Sequence, residues 1–224
     1  MDNFPLAMWK EVFKESFKFL FDNPAVFLAL LGNYVLLFMF GPLIGVVAGW
    51  FIATLYLAGL HGSGSTETLL EDIKRFAKWG FIVAVILYLL FFFEGLLSYI
   101  VYNTLVYRFH LSVEGLLLFT PLWALVLALI LHGPYIVLFS STGWEDFKKN
   151  LKRIKELYTT PWGIKTLLLL WGFMLLTLLA GLVKFLHFTV GLFAVIATFW
   201  LTYYTFLGVK FFKTYALKQQ EGRI

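Results

Sequence analysis

No charged residue interrupts the chain between Ala25 and Leu60. That run is about twice the ~20 residues that carry a helix across a ~30 Å hydrocarbon layer. It must therefore sit in a large apolar core or in lipid, and composition decides between them. Of 224 residues, 61% are hydrophobic and 14% charged, where a soluble domain carries about 25% charged residues. So little charge leaves wide apolar patches bare on a surface facing water, whereas a lipid-facing surface has no such difficulty.

The run divides at Gly41-Pro42, because proline suits a helix's first turn and glycine permits a tight reversal. This predicts two short spans, about 24–40 and 42–60, joined by a minimal turn. A third run extends from Gly80 to Tyr102 (80–102) and is interrupted only by Glu94. The fourth covers about 115–132, where Gly133-Pro134 is expected to break it. The fifth covers 164–183 and the sixth 188–209. No run alternates with period two, which excludes a β-barrel.

The formal net charge of +5 does not predict a nucleic-acid partner, since the basic residues form no single stripe. They lie at the ends of the apolar runs and orient the bundle. Lys10, Lys14 and Lys18 precede span one, and Lys74, Arg75 and Lys78 separate spans two and three. Lys148, Lys149, Lys152, Arg153, Lys155 and Lys165 lie between spans four and five, and Lys210, Lys213, Lys218 and Arg223 form the tail. Only Arg108 and Lys184 fall on the other side, so 16 of the 18 basic residues share one face. An even number of spans, with both termini cytoplasmic in the cell membrane, satisfies that bias. Met1 to Leu6 lacks a basic segment running into an apolar one, so no cleavable signal peptide is expected.

Each cytoplasmic segment before an odd-numbered span has helical amphipathic periodicity. In the first, Trp9, Val12, Phe13, Ser16, Phe17, Leu20 and Phe21 oppose Lys10, Glu11, Lys14, Glu15 and Lys18. In the second, Leu69, Leu70, Ile73, Phe76 and Ala77 oppose Glu71, Asp72, Lys74, Arg75 and Lys78. In the third, Trp144, Phe147, Leu151, Ile154 and Tyr158 oppose a charged face. A cationic face backed by aromatic residues suits a helix lying in the interfacial plane. Thr68-x-x-Glu71 and Thr142-x-x-Glu145 match the capping box. Asn23-Pro24 and Thr160-Pro161 match a cap followed by a first-turn proline.

The expected architecture is an all-α integral membrane protein, a single domain over 1–224. Six transmembrane helices form three hairpins, each preceded by a cytoplasmic interfacial amphipathic helix, in units 5–60, 66–132 and 143–210. Repeated units and ordinary hairpin construction both account for this layout.

Three segments carry a family likeness. They are Asp22-Asn23-Pro24 closing the first aromatic-rich helix, Gly62-Ser63-Gly64 before the helix at 68–74, and Pro134 to Ser141 leading into Gly143 to Leu151. Together they resemble a broad group of uncharacterised prokaryotic, often archaeal, six-span membrane proteins. In layout the chain is also similar to the membrane domain attached to some glycerophosphoryl diester phosphodiesterases. The resemblance implies a stand-alone membrane domain. The catalytic domain of those enzymes has no counterpart in these segments, so no activity carries over.

Candidate functional residues are few. Glu94 is the one acidic residue well inside a span, in its outer half, and an intramembrane acid is a functional-site hypothesis by default. Arg108, Lys184, His110 and His187 are its expected partners, and a structural ion pair or a protonated, backbone-bonded Glu94 is the plainer alternative. Asn33 lies mid-span, where it serves as a binding residue or as hydrogen-bonding glue between helices. Thr202, Tyr203, Tyr204 and Thr205 form a polar cluster in span six, fit to line a cavity or to pack helices. His61 and His132 are expected at inner span ends and His110 and His187 outside; none has the i, i+4 partner of a zinc site. Without cysteine, neither a disulfide nor a thiolate metal site can form. His61-Gly62-Ser63-Gly64-Ser65 lacks phosphate-loop spacing, and no nucleophile elbow is present.

No cofactor and no enzymatic reaction are expected. A small transporter or permease-like module ranks first, because Glu94 is buried. The alternative is a non-catalytic scaffold or subunit that organises lipid or a protein partner on the cytoplasmic side. A polar cavity reaching Glu94 favours the first and a dry, close-packed interior the second.

Overall fold

The computed structural model describes residues 6–62, 67–182 and 188–220, and among them every element is an α-helix. The elements are α1 (Leu6–Phe21), α2 (Pro24–His61), α3 (Leu69–Tyr107), α4 (Val113–Ser140), α5 (Trp144–Leu151), α6 (Glu156–Thr159), α7 (Pro161–Leu182) and α8 (Phe188–Gln220). Six stretches are long and apolar enough to cross a membrane: Pro24–Gly41, Leu43–His61, Leu69–Tyr107, Val113–Ser140, Pro161–Ala180 and Val190–Tyr215.

Helix α2 is formally continuous, but Phe40 leaves the helical region at φ −129°, ψ 19°. The two halves then fold back on each other. A straight helix would separate Tyr34 from Tyr56 by about 33 Å, yet their hydroxyls lie 2.9 Å apart. The expected reversal at Gly41-Pro42 therefore begins one residue earlier, where the helical ladder breaks before the proline.

Helix α3 runs antiparallel to the second half of α2. The approach is closest at Gly80, where a Cβ would sit 2.3 Å from Thr54 Oγ1 and 3.1 Å from the Thr54 backbone. Small residues let membrane helices approach this closely. Indole N–H groups then link one helix to the next: Trp50 donates to the Ala77 carbonyl at 2.7 Å, Trp171 to Pro121 at 2.9 Å and Trp200 to Leu169 at 2.9 Å.

Several expected boundaries need correction. The segment at 69–78 is no separate helix, because nothing between Lys78 and Gly80 stops it; α3 continues from Leu69 to Tyr107. Gly133-Pro134 does not end span four, and α4 runs on to Ser140 with Pro121 and Pro134 inside it. The third amphipathic segment is two pieces, α5 and α6. Neither capping box forms: Thr68 makes no side-chain cap bond, and Gly143 rather than Thr142 takes the cap position of α5. Thr160 does cap α7, accepting the Gly163 amide at 3.1 Å.

At the end of the bundle where basic residues gather, α1 docks against α8 and α2. Its Val12, Ser16 and Leu20 stripe is buried. Trp9 meets Trp162 at 5.5 Å and Phe17 stacks on Phe199 at 5.4 Å between ring centroids. Lys210 of α8 bridges Glu11 at 3.2 Å and Glu15 at 2.7 Å.

Candidate functional site: a polar seam and a basic-end cavity

The expected polar cluster of span six is where three helices meet. Thr202, Tyr204 and Thr205 project from α8 towards α2 and α4, and each pairs with a different side chain. Tyr56 meets Thr202 at 3.0 Å, Tyr135 meets Thr205 at 2.8 Å, and His132 Nδ1 meets the Tyr204 hydroxyl at 2.8 Å. Tyr56, Tyr204, Thr202, Thr205 and His132 are fully buried, and Tyr34 and Tyr135 nearly so.

Donor directions in this seam follow from the ends of its chains. Thr202 spends its proton on the Thr198 carbonyl, so Tyr56 must donate to Thr202 and Tyr34 in turn to Tyr56. Thr205 likewise donates to Leu201 at 2.5 Å, so Tyr135 donates to Thr205. Each chain runs one way and stops at a backbone carbonyl. Such an arrangement glues helices where water is absent.

His132 belongs to this interior and not to a span end, because α4 continues about 12 Å beyond it. Its Nε2 has no hydrogen-bond partner among the described residues. The Tyr158 ring lies edge-on to it at 5.7 Å. At the basic end, His61 Nε2 contacts the Phe139 carbonyl at 2.8 Å, and Lys213 Nζ contacts Nδ1 at 2.9 Å. A carbonyl only accepts and an ammonium only donates, so this imidazole is neutral with its proton on Nε2.

The other sequence candidates do not converge. Glu94 is 6% exposed, and its Oε1 has no hydrogen-bond partner among the described residues. Its stripe of α3 continues to Ser98 and Tyr102, which bond Trp123 at 2.9 Å and Thr120 at 2.9 Å on α4. Arg108 is exposed at the far end of the same helix, 14 residues and about 21 Å from Glu94, beyond reach of an ion pair. His110 follows on the loop with φ 49°. Lys184 and His187 lie outside the described residues. Asn33 bonds the Ala29 carbonyl of its own helix at 2.7 Å and, among the described residues, makes no hydrogen bond to another helix.

A cavity of about 270 Å³ opens at the basic end, between α1, both ends of α2 and the start of α3. Glu15, Lys18, Asp22 and Asp72 supply its charges, and Phe19 and Phe206, 5.2 Å apart, its aromatic wall. Gly59 makes room for that wall, since a Cβ there would lie 2.5 Å from the Phe19 ring. The site went unseen in the sequence because its lining comes from segments up to 191 positions apart, Glu15 and Phe206. Asp72 and Glu94 share α3 but stand about 33 Å apart along it, so this cavity does not serve Glu94. No group of histidines and carboxylates fit to hold a metal occurs among the described residues.

No family model matches the chain, and no curated protein or solved structure matches it either.

Proposed function

We propose that the chain is a non-catalytic membrane scaffold that holds lipid or a partner protein at its basic, cytoplasmic end. One observation carries this reading: the hydroxyls of the seam spend their protons on neighbouring helices and on backbone carbonyls. A solute path needs polar groups that water can exchange with, and this seam is closed. The reading takes the expected layout with it, in which three hairpins keep both termini and the basic segments in the cytoplasm of a multi-pass cell-membrane protein. Labelling Lys149 and the C-terminal tail on opposite faces of the bilayer would remove that layout.

Transport is the second reading, and it rests on Glu94 Oε1 and His132 Nε2, two groups within spans that lack hydrogen-bond partners. Reconstituted vesicles separate the two. A scaffold leaves proton and solute flux at the level of empty vesicles. A flux that Glu94→Gln abolishes favours the permease-like module and ends the scaffold reading.

A further inference from the structure

We infer that α1 holds an anionic phospholipid on its outward edge, with the lipid phosphate between Lys10 and Lys14 and the acyl chains against Phe13, Phe17 and Phe21. The inference rests on the membrane-scaffold reading and deepens it by naming the lipid class.

Contacts with α8 fix how α1 lies. Glu11 and Glu15 both reach Lys210. Phe13 instead meets Tyr203 at 5.6 Å, and Phe17 and Phe21 meet Phe199 at 5.4 and 6.0 Å between ring centroids. Tyr203 and Phe199 precede Lys210 by 7 and 11 residues, about 10 and 16 Å along α8, and so lie deeper in the span. Phe21 also stacks on Phe27 near the start of α2. The acidic edge of α1 therefore faces the basic end of the bundle, and its aromatic edge faces the hydrocarbon. Phe13 and Phe21 remain 48% and 57% exposed, which suits a helix lying in the interfacial plane with its rings against acyl chains.

Pairing then decides which charges are free. Lys210 holds Glu11 and Glu15, and Lys18 pairs with Asp22 at 3.9 Å. One negative charge is left on the acidic edge, on the side of the helix away from the rings. Lys10 and Lys14 are exposed and make no ion pair among the described residues. At about 100° per residue, both stand between the aromatic and acidic edges, turned away from the buried Val12, Ser16 and Leu20 stripe. That is the height of the headgroups. One helical turn apart, the two ammonium groups repel each other, and a phosphate between them removes the repulsion. In a zwitterionic headgroup the lipid's own cation opposes the lysines. An anionic headgroup has no such cation, so this pair selects it.

The test is native mass spectrometry of the full chain released from vesicles containing equal parts phosphatidylglycerol, phosphatidylethanolamine and phosphatidylcholine. At about five-fold per lysine at an anionic surface, phosphatidylglycerol should be retained about 25-fold over phosphatidylcholine. Lys10→Gln and Lys14→Gln should each reduce that preference about five-fold. Lys148→Gln, on another helix and already paired with Glu145, should leave it unchanged. Equal retention of the three lipids overturns the inference, as does a preference that the Lys10→Gln, Lys14→Gln double variant keeps. Depth gives a second readout, because the chain has no cysteine and a spin label on one introduced cysteine reports one position. A label at Phe21→Cys should relax faster with oxygen dissolved in the lipid, and one at Glu11→Cys with an aqueous nickel chelate. The reverse order overturns the orientation of α1 and the inference with it. Inorganic phosphate that displaces the lipid as effectively as added phosphatidylglycerol overturns the lipid assignment. Failure here with vesicles still tight to solutes leaves the scaffold reading standing, with a protein as its partner. Selective retention alongside solute flux removes the scaffold and keeps the lipid edge of α1.

Discussion

The Tyr158 hydroxyl accepts the Gly133 amide proton at 2.8 Å and donates to the Leu129 carbonyl at 2.8 Å. Gly133 and Leu129 are the i and i−4 partners of the helical rung just before Pro134. Proline lacks the next amide and its ring crowds the carbonyl of Ile130, so this is where α4 is weakest. A side chain from α6, 25 residues along the chain, joins both groups of that rung. Neighbouring side chains re-satisfying backbone around an intramembrane proline is the general route by which such prolines are tolerated. Tyr158→Phe should therefore increase hydrogen exchange of the Gly133 amide roughly 5- to 150-fold, the equivalent of about 1–3 kcal/mol for an unsatisfied buried group. Unchanged protection means that the helix closes its own rung and the tyrosine does not hold it.

Gly80 offers a second test, in which helix propensity and packing predict opposite signs. Alanine favours a helix over glycine by about 1 kcal/mol. At Gly80, however, the added Cβ meets Thr54 Oγ1 at 2.3 Å and Thr54 backbone at 3.1 Å. Backbone cannot swing aside, so Gly80→Ala should destabilise by about 1–3 kcal/mol. Gly32→Ala, with nothing within 4 Å of its Cβ, should be neutral or mildly stabilising. Unfolding of both variants in mixed micelles, compared with the parent, decides it. Equal stability of the pair would show that packing at Thr54 does not set the distance between α2 and α3.

The contrast between those two positions explains what was legible in the sequence. The six apolar stretches were, because hydrocarbon thickness sets their length and any charge is felt locally. Gly133-Pro134 misled, because the group that rescues it, Tyr158, arrives from another helix and no local pattern announces it. The segment at 69–78 also misled: its charged face differs from span three in composition, but no breaker divides them. Thr202, Tyr204 and Thr205 were visible as a polar cluster, whereas Tyr56, His132 and Tyr135 are joined to them only by tertiary packing across 146, 72 and 70 positions. Glu94 was recognisable as a buried acid, but its proposed pairing with Arg108 fails on helical rise alone.

Tyr56 is the middle member of the chain from Tyr34 to Thr202, so removing its hydroxyl breaks two hydrogen bonds at once. Interhelical bonds in membranes average about 0.6 kcal/mol with a maximum near 1.7. Tyr56→Phe should thus cost about 1–2 kcal/mol, and Tyr34→Phe about half as much, since Tyr34 only donates at the chain's end. The double variant should cost no more than Tyr56→Phe alone, because the bond Tyr34 makes is already gone. Full additivity in this cycle would mean that the two hydroxyls do not interact.

Thr142 and Asp146 give the last prediction, at the basic end outside the spans. The Thr142 hydroxyl donates to Asp146 Oδ2 at 2.5 Å and its amide contacts the same oxygen at 3.4 Å. The hydroxyl is the largest cause holding the Asp146 carboxyl below its ordinary value; partial burial opposes it, and the nearby Lys149 ammonium adds to it. A depressed carboxyl pKa stabilises the folded state above the unfolded value of about 3.9, and that contribution is lost as pH falls through the lower, folded value. The turn from Ser141 into α5 should accordingly hold at neutral pH and loosen in acid. Thr142→Ala should raise the Asp146 titration midpoint towards about 3.9, read from its carboxyl carbon by NMR, and should move the onset of proteolysis at this turn to higher pH. If the variant titrates at the same midpoint as the parent, the hydroxyl is not what lowers it, and the acid lability of the turn must come from another group.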